Sequence, residues 1–335
     1  MDLVNISRKG ATKKEAIWKV CAACGIAVEE VMAFGDDCAD MGMLRMCGSR
    51  LPNQGEGSRM ENRIKHAAER WGLSHCEEIY RYPSKAVFSG FSERFGAVIL
   101  KIDENERQLR SEYQMLSRLS GRLVCKVYAY DGTAGLLLEE RIVPGTVLRR
   151  EPSLEKRVRI FSRIFREIHV PAREGETYLD WLEGICDYCV RNHVSEELLN
   201  LAASAREICA EMFRRYPDRA LLHGDLHHDN LLERADGTYA VIDPKGVVGP
   251  AILDLPRFIL NELDTEHACP DRQHIDEVIR RLGGLTGYPE ADIRKLFFME
   301  TVLANVWCAE GGEEINRQEL EIAAAGMDMG GRGGI

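Results

Sequence analysis

Short runs of β-forming residues fill the early part of the chain, and spacings of three and four residues take over later. Glu77–Tyr82, Ala86–Phe91 and Ala97–Ile102 are β-rich runs separated by turn residues. Asn105–Leu119 has helical period, with Leu109, Leu116 and Leu119 on one face. Cys125–Tyr130 and Gly135–Glu140 return to strand, with Asp131-Gly132-Thr133 in the turn between them. A helix over Met60–Trp71 leads into this region. Beyond Pro152 the pattern changes, and Leu154–Ile168, Tyr178–Asn192 and Glu196–Tyr216 read as amphipathic helices. Five strands around one helix, followed by a helical lobe, predict an α+β fold with a five-stranded antiparallel N-terminal lobe.

Ahead of this lies a shorter piece. Residues 1–48 read as a small α/β fragment of helix, strand and loop, and residues 49–58, rich in polar residues, Gly and Pro, read as a linker. The main domain is expected over 59–325, with a disordered Gly-rich tail over 326–335.

Composition narrows the function classes. No apolar run approaches the roughly 18 residues that a membrane span needs. The N-terminus lacks the basic and apolar regions of a secretory leader. Eleven cysteines, scattered and partly in apolar surroundings, fit reduced thiols and a cytoplasmic location. Cys21 and Cys24 form a C-x-x-C, but no second pair follows at zinc-ribbon spacing. A formal charge of −10 argues against a nucleic-acid partner. From Pro250 onward acids outnumber bases two to one, which suits either a solvated face or a lobe that attracts a small, polar, cationic substrate.

The chemistry is concentrated in residues 223–243. His223-Gly224-Asp225-Leu226-His227-His228-Asp229-Asn230 is followed by a hairpin turn at 235–238 and an apolar strand closed by Ile242-Asp243-Pro244. One acid, an asparagine five residues on, and a second acid after the next strand are what phosphoryl transfer requires. Asp225 would meet the acceptor hydroxyl, while Asn230 and Asp243 would supply oxygen ligands to magnesium. Lys101 ends the apolar run Val98-Ile99-Leu100, where its ammonium can meet nucleotide phosphates. Glu112 lies on the apolar face of its helix and so needs a buried partner, with Glu106 as the competing candidate. Leu136–Arg141, which contains Glu139, would be a connector whose backbone groups bond an adenine. A rival reading takes His223, Asp225, His227, His228 and Asp229 as nitrogen and oxygen ligands of a zinc or two-metal hydrolase. It leaves Lys101 and Glu112 unexplained.

These residues resemble the aminoglycoside/hydroxyurea phosphotransferase family of antibiotic-resistance kinases, from about Met60 to Asn305. His-Gly-Asp-Leu-His-x-x-Asn at 223–230 and Ile-Asp-Pro-Lys-Gly-Val-Val-Gly-Pro at 242–250 carry the likeness, and Asp254-Leu255 and Asn261-Glu262 continue it. The Asp-Pro-Lys-Gly run is most similar to the streptomycin 6-phosphotransferase branch. The resemblance implies a bilobal protein-kinase-like fold and ATP or GTP as donor. It also implies Asp225 as catalytic aspartate, Asn230 and Asp243 on magnesium, and Lys101 with Glu112 as the ion pair over the phosphates. The phosphate-covering turn Tyr82-Pro83-Ser84-Lys85-Ala86 departs from a Gly-rich pattern, so contact there would fall to Ser84 and nearby amides. The alternative to transfer is a kinase-like module that binds nucleotide or ligand only.

Ser7–Gly48 resembles the C-terminal end of a haloacid-dehalogenase-type phosphatase of the Cof-like branch, through Ala11–Ala16 and Ala33–Leu44. The likeness implies a phosphate-steadying role for Lys13 and places Asp36 and Asp40 around magnesium, with Ala39 in place of the usual asparagine. The nucleophilic Asp-x-Asp-Gly-Thr of that family would precede this segment. The two Asp-Gly-Thr runs, at 131–133 and 236–238, have Ala129 and Arg234 at the nucleophile's position and read as hairpin turns. Phosphatase activity is therefore not expected, and the fragment reads as a fusion remnant, docking surface or regulatory appendage.

Overall fold

The computed structural model describes residues 54–82, 84–119, 123–263, 272–311 and 314–327. The readings made for residues 1–48, Pro83 and the end of the tail lie outside the described residues.

Helix α1 (Gln54–Trp71) begins inside the segment that composition marks as a linker, so helix continuation overrides the roughly 1 kcal/mol that each of Gly55 and Gly57 costs. It is followed by strands β1 (Leu73–Arg81), β2 (Lys85–Ser92) and β3 (Gly96–Asp103), then α2 (Glu106–Arg118), β4 (Val127–Asp131) and β5 (Leu136–Glu140). These strands form one five-stranded sheet of order β1-β2-β3-β5-β4, with β1–β2 and β2–β3 antiparallel. Phe88 on β2 faces Leu100 on β3 in register, and Val87 faces Lys101.

The chain divides into two compact units, one of residues up to Asn105 with 133–138, the other of 106–132 and everything from Glu139 onward. In the first, Val98, Leu100, Ile102 and Leu136 to Leu138 are buried and make the apolar interior.

The second unit holds the large core. It contains β6 (Pro144–Val147), α3 (Leu154–Ile168), β7 (Val170–Pro171), α4 (Tyr178–Arg191), α5 (Glu196–Arg215), β8 (Ala220–Leu222), β9 (Leu231–Arg234), β10 (Tyr239–Val241) and β11 (Val247–Gly249). Helices α6 (Pro256–Asn261), α7 (Arg272–Thr286), α8 (Glu290–Glu310) and α9 (Arg317–Met327) complete it. The expected helix boundaries hold because each start carries a cap: Ser153, Thr177 and Ser195 accept backbone N–H bonds ahead of α3, α4 and α5, and Thr177 with Asp180 makes a full capping box. Val158, Phe161, Ile164, Phe165 and Ile168 follow the three-four spacing of α3 and are buried. Helix α8 is the central strut and packs against α4, α5, α6, α7 and α9. Buried on nearly every side, it has little amphipathic pattern, yet Asp292, Glu300 and Asn305 lie among its buried positions. Helix α9 runs two residues into the Gly-rich tail.

Two small antiparallel sheets, β10-β9-β6 and β11-β8-β7, frame the segments of the sequence motif. Leu222 pairs with Val247 and Leu231 with Val241, so residues 223–230, Ile242 to Gly246 and the 3-10 turn Ala251–Asp254 are all held at the sheet ends.

Candidate active site

The loop after β8 is built on buried backbone contacts. His223 is fully buried; its Nε2–H donates to the Ile242 carbonyl at 2.9 Å and its Nδ1 accepts from the Asp225 N–H at 3.2 Å, which selects the neutral Nε2–H tautomer. Burial pushes its pKa down in the same direction. The buried Asp254 carboxylate accepts from the backbone N–H of His223 at 2.9 Å and of Gly224 at 2.7 Å, and it meets His169 Nε2 at 2.9 Å. Gly224 turns the chain at φ +76°, and a Cβ there would stand 2.9 Å from the Trp181 ring and from Val247. Only glycine lets the loop pass so close.

This turn delivers Asp225 into a ring of charge. Its Oδ1 lies 3.2 Å from Arg257 Nε and 3.6 Å from His227 Nε2, and its Oδ2 lies 3.7 Å from Lys245 Nζ. Burial alone would raise the Asp225 carboxyl; Arg257, His227 and Lys245 outweigh it and hold the group down to about 2. Asn230 ends a 3-10 turn (His228–Asn230) and its side-chain N–H donates to the Asp225 carbonyl at 2.9 Å, which leaves the amide oxygen as the group available to a cation. Asp243 follows β10 with φ +61°, a conformation uncommon for a residue with a side chain. The main-chain bond from Ile242 N–H to the Asn230 carbonyl, 3.0 Å, ties this strand end to the loop. Lys245 Nζ donates to Asp243 Oδ2 at 3.3 Å, so one ammonium serves both carboxylates. Burial would lower the Lys245 pKa, but Asp243, Asp225 and Glu112 together raise it above the ordinary lysine value. The oxygen donors of Asn230 and Asp243 have the chemistry to hold a hard divalent cation.

Behind the loop lies a second network. Glu262, fully buried, accepts from Arg157 through Nε at 2.8 Å and Nη2 at 2.7 Å, and meets His228 Nε2 at 2.7 Å and His274 Nε2 at 2.9 Å. Burial would raise its carboxyl, yet these hydrogen bonds hold it well below the usual carboxylate range. Asp229 is gripped by Arg149 through two parallel bonds of 2.8 and 2.7 Å, and the same guanidinium donates to the Asn261 carbonyl and side chain. His228 also stacks on Phe258, with ring centroids 4.1 Å apart.

Asp225, Asn230 and Asp243 are thus brought together with Lys245. Glu112 is buried on α2 and lies within electrostatic range of Lys245, whereas Glu106 is exposed and bonds Arg110 one turn along the same helix. Lys101 is buried on β3, Ser84 is exposed in the turn before β2, and Glu139 is buried on β5. The histidines of the loop do not converge as the hydrolase reading needs: His223 is spent on backbone groups and His228 on Glu262. Among the described residues no three acidic, His or Cys groups meet as a metal cluster.

Sequence reading gave no role to Arg257, Glu300, Trp181 or Trp307. Arg257 Nε lies 3.0 Å from Glu300 Oε1 as well as 3.2 Å from Asp225, and Tyr178 OH donates to the other Glu300 oxygen. A signal for Glu300 was present, because a carboxylate inside Phe297-Phe298-Met299-Glu300-Thr301 demands a buried partner. Nothing in spacing points to Arg257, 32 positions after Asp225, as that partner.

Comparison with known proteins bears on the family and the fold. Residues 70–312 match the family model described as aminoglycoside/hydroxyurea antibiotic resistance kinase, and residues 1–52 match that of haloacid dehalogenase-like hydrolase. The hydroxyurea phosphotransferase of Kitasatospora aureofaciens is 26% identical over 288 residues, covering 82% of this chain and 80% of that protein. The streptomycin 3''-kinase of Klebsiella pneumoniae is 26% identical over 161 residues, 44% of this chain and 55% of that one. Among solved structures, choline kinase LicA from Streptococcus pneumoniae aligns with a TM-score of 0.56 at 18% identity, over 81% of this chain and 99% of its own. The aminoglycoside phosphotransferase APH(4)-Ia, in ternary complex with ADP and hygromycin B, aligns with a TM-score of 0.55 at 14% identity, over 81% and 99%. These likenesses give the protein-kinase-like fold. With its family model spanning residues 70–312, the chain belongs to the aminoglycoside/hydroxyurea antibiotic resistance kinases, ATP-dependent phosphotransferases that act on hydroxyl groups.

Proposed function

We propose that the protein transfers the γ-phosphoryl group of ATP to a hydroxyl of an aminoglycoside, streptomycin-like, or of a related small polar acceptor. The observation that carries this reading is the arrangement of Asp225, Asn230 and Asp243 on one loop and the adjoining strand end, with Lys245 between the two acids. Asp225 takes the acceptor hydroxyl. At about 2 its pKa makes it a weak base, so it orients the hydroxyl and receives the proton late. That suits a loose transition state, in which the phosphorus–oxygen bond to ADP is largely broken before the new bond forms. Asn230 and Asp243 would hold magnesium, which would supply positive charge beside the phosphates. Lys101 serves the phosphates with Glu112 as its acid, since Glu106 is exposed and bonded to Arg110. Ser84 contributes to phosphate contact and the strand around Glu139 to adenine contact.

The domain is assigned to residues 59–325, and the 1–48 segment to an appendage without phosphatase chemistry. ATP turnover over a panel of aminoglycosides, sugars and amino alcohols, with mass spectrometry of the product, tests the assignment. Asp225→Ala should lower kcat by about 10²–10⁴-fold and leave ATP affinity near wild type. Near-normal turnover by that variant, or ATP hydrolysis without acceptor stimulation across the panel, would overturn it.

A further inference from the structure

Asp225 has no carboxylate oxygen to itself. Oδ1 faces Arg257 Nε at 3.2 Å and Oδ2 faces Lys245 Nζ at 3.7 Å. An acceptor group that reaches the acid therefore also meets two positive charges beside it. An ammonium would have to stand beside both, against like-charge repulsion. A hydroxyl has no such difficulty, because it can donate to Oδ1 while carrying no charge.

Arg257 has capacity left over. Its Nε lies near two carboxylates but directs its N–H at neither, so Arg257 Nε and Glu300 Oε1 are both buried without an aligned hydrogen-bond partner. Glu300 itself is fully buried. Buried polar atoms left in this state are rare and need a reason. A guanidinium whose Nε–H is not spent on an aligned bond keeps donors that can meet uncharged oxygens of a ligand.

The surface next to it is aromatic. The Arg257 guanidinium covers one face of Trp307, 5.7 Å from the ring centroid. Trp181 meets Trp307 edge to face at 5.5 Å and rests against Gly224, the residue before Asp225. Both indoles are half-buried, so part of each remains open. An indole face attracts the C–H face of a saturated ring, whose hydrogens carry partial positive charge.

We propose that Arg257, Trp181 and Trp307 form an acceptor-reading wall, and that it selects an uncharged ring polyol, a sugar or cyclitol face, at the reacting hydroxyl. This deepens the kinase reading and rests on it. Any ammonium of the acceptor points away from Asp225. The ring stacks on the indoles, the reacting hydroxyl donates to Asp225, and a neighbouring hydroxyl or ring oxygen accepts from Arg257.

Two measurements on the full-length protein test it. The first is tryptophan fluorescence quenching by matched pairs, glucose against glucosamine and myo-inositol against its amino analogue, with ATP-dependent turnover of the same compounds. Wild type should favour the neutral member of each pair by at least about tenfold. Arg257→Gln should bring the ratio to within about threefold, chiefly by improving the amino member. Since Arg257→Gln leaves Glu300 without its counter-charge, the paired change R257Q with E300Q is measured alongside and should give the same ratio. Preference for the amino member, an unchanged ratio in both variants, or quenching by neither compound overturns the proposal. The second measurement, transfer by Asp225→Ala, separates the two readings. Retained transfer removes the kinase assignment of Asp225, while the binding ratio reports on Arg257 independently.

Discussion

The two halves of the 223–230 loop are held by opposite means. At the rear, the acids are fully engaged: Glu262 takes four hydrogen bonds from Arg157, His228 and His274, and Asp229 takes a two-pronged grip from Arg149. At the front, Asp225 sits among Arg257, Lys245 and His227 at 3.2 to 3.7 Å, held by charge rather than by aligned bonds. Satisfied networks fix geometry, and unsatisfied ones leave capacity for a ligand. The rear half is built as scaffold, and the front half is where the proposed transfer chemistry would sit.

Removing the rear anchor should have the largest effect. Glu262→Ala strands Arg157 in the interior and should destabilise the protein by roughly 3–5 kcal/mol, read as a shift of the denaturation midpoint in urea. A loss below about 1 kcal/mol would mean the rear network is no more structural than the front.

Acidification sharpens the contrast next. His227 is half-buried, and desolvation lowers its pKa to about 4, below the unfolded value near 6.5. Between those values the unfolded chain binds a proton that the folded chain refuses, so stability falls as pH drops from about 6.5 toward 4. The slope from this one imidazole should reach roughly 1.4 kcal/mol per pH unit, and His227→Gln should flatten it. Urea melts at pH 7, 6 and 5 measure this, and identical slopes in both proteins would refute it.

The smallest expected effect belongs to the partly exposed pair. Asp229→Ala should cost about 1 kcal/mol or less, because Asp229 is 42% exposed and water screens its attraction to Arg149. A larger loss would show that this bond, rather than Glu262, anchors the rear.

Much of this was legible before the fold was known. Runs of β-forming residues placed the strands and three-four spacings placed α3 to α5, since each of these helices buries one face and carries its own cap. The motif residues Asp225, Asn230 and Asp243 stand close together because only a short hairpin separates them. Residues that reach the loop from afar were not legible. Arg257 follows a proline in a six-residue helix too short for periodicity, and Glu300 and Trp307 come from α8, whose burial on nearly all sides erases any facial pattern. His227 and His228 had no readable roles because their partners, Asp225 and Glu262, are set by tertiary packing. The start of α1 at Gln54 was hidden by Gly55 and Gly57, whose local preference the helix overrides.

The left-handed backbone at Asp243 limits how this protein can drift. Most side chains strain in that conformation; glycine, asparagine, aspartate and histidine tolerate it best, and His75 and His193 adopt it in this chain. Of the four only aspartate brings a negative charge. A change at residue 243 that keeps the backbone relaxed therefore removes the carboxylate beside Lys245.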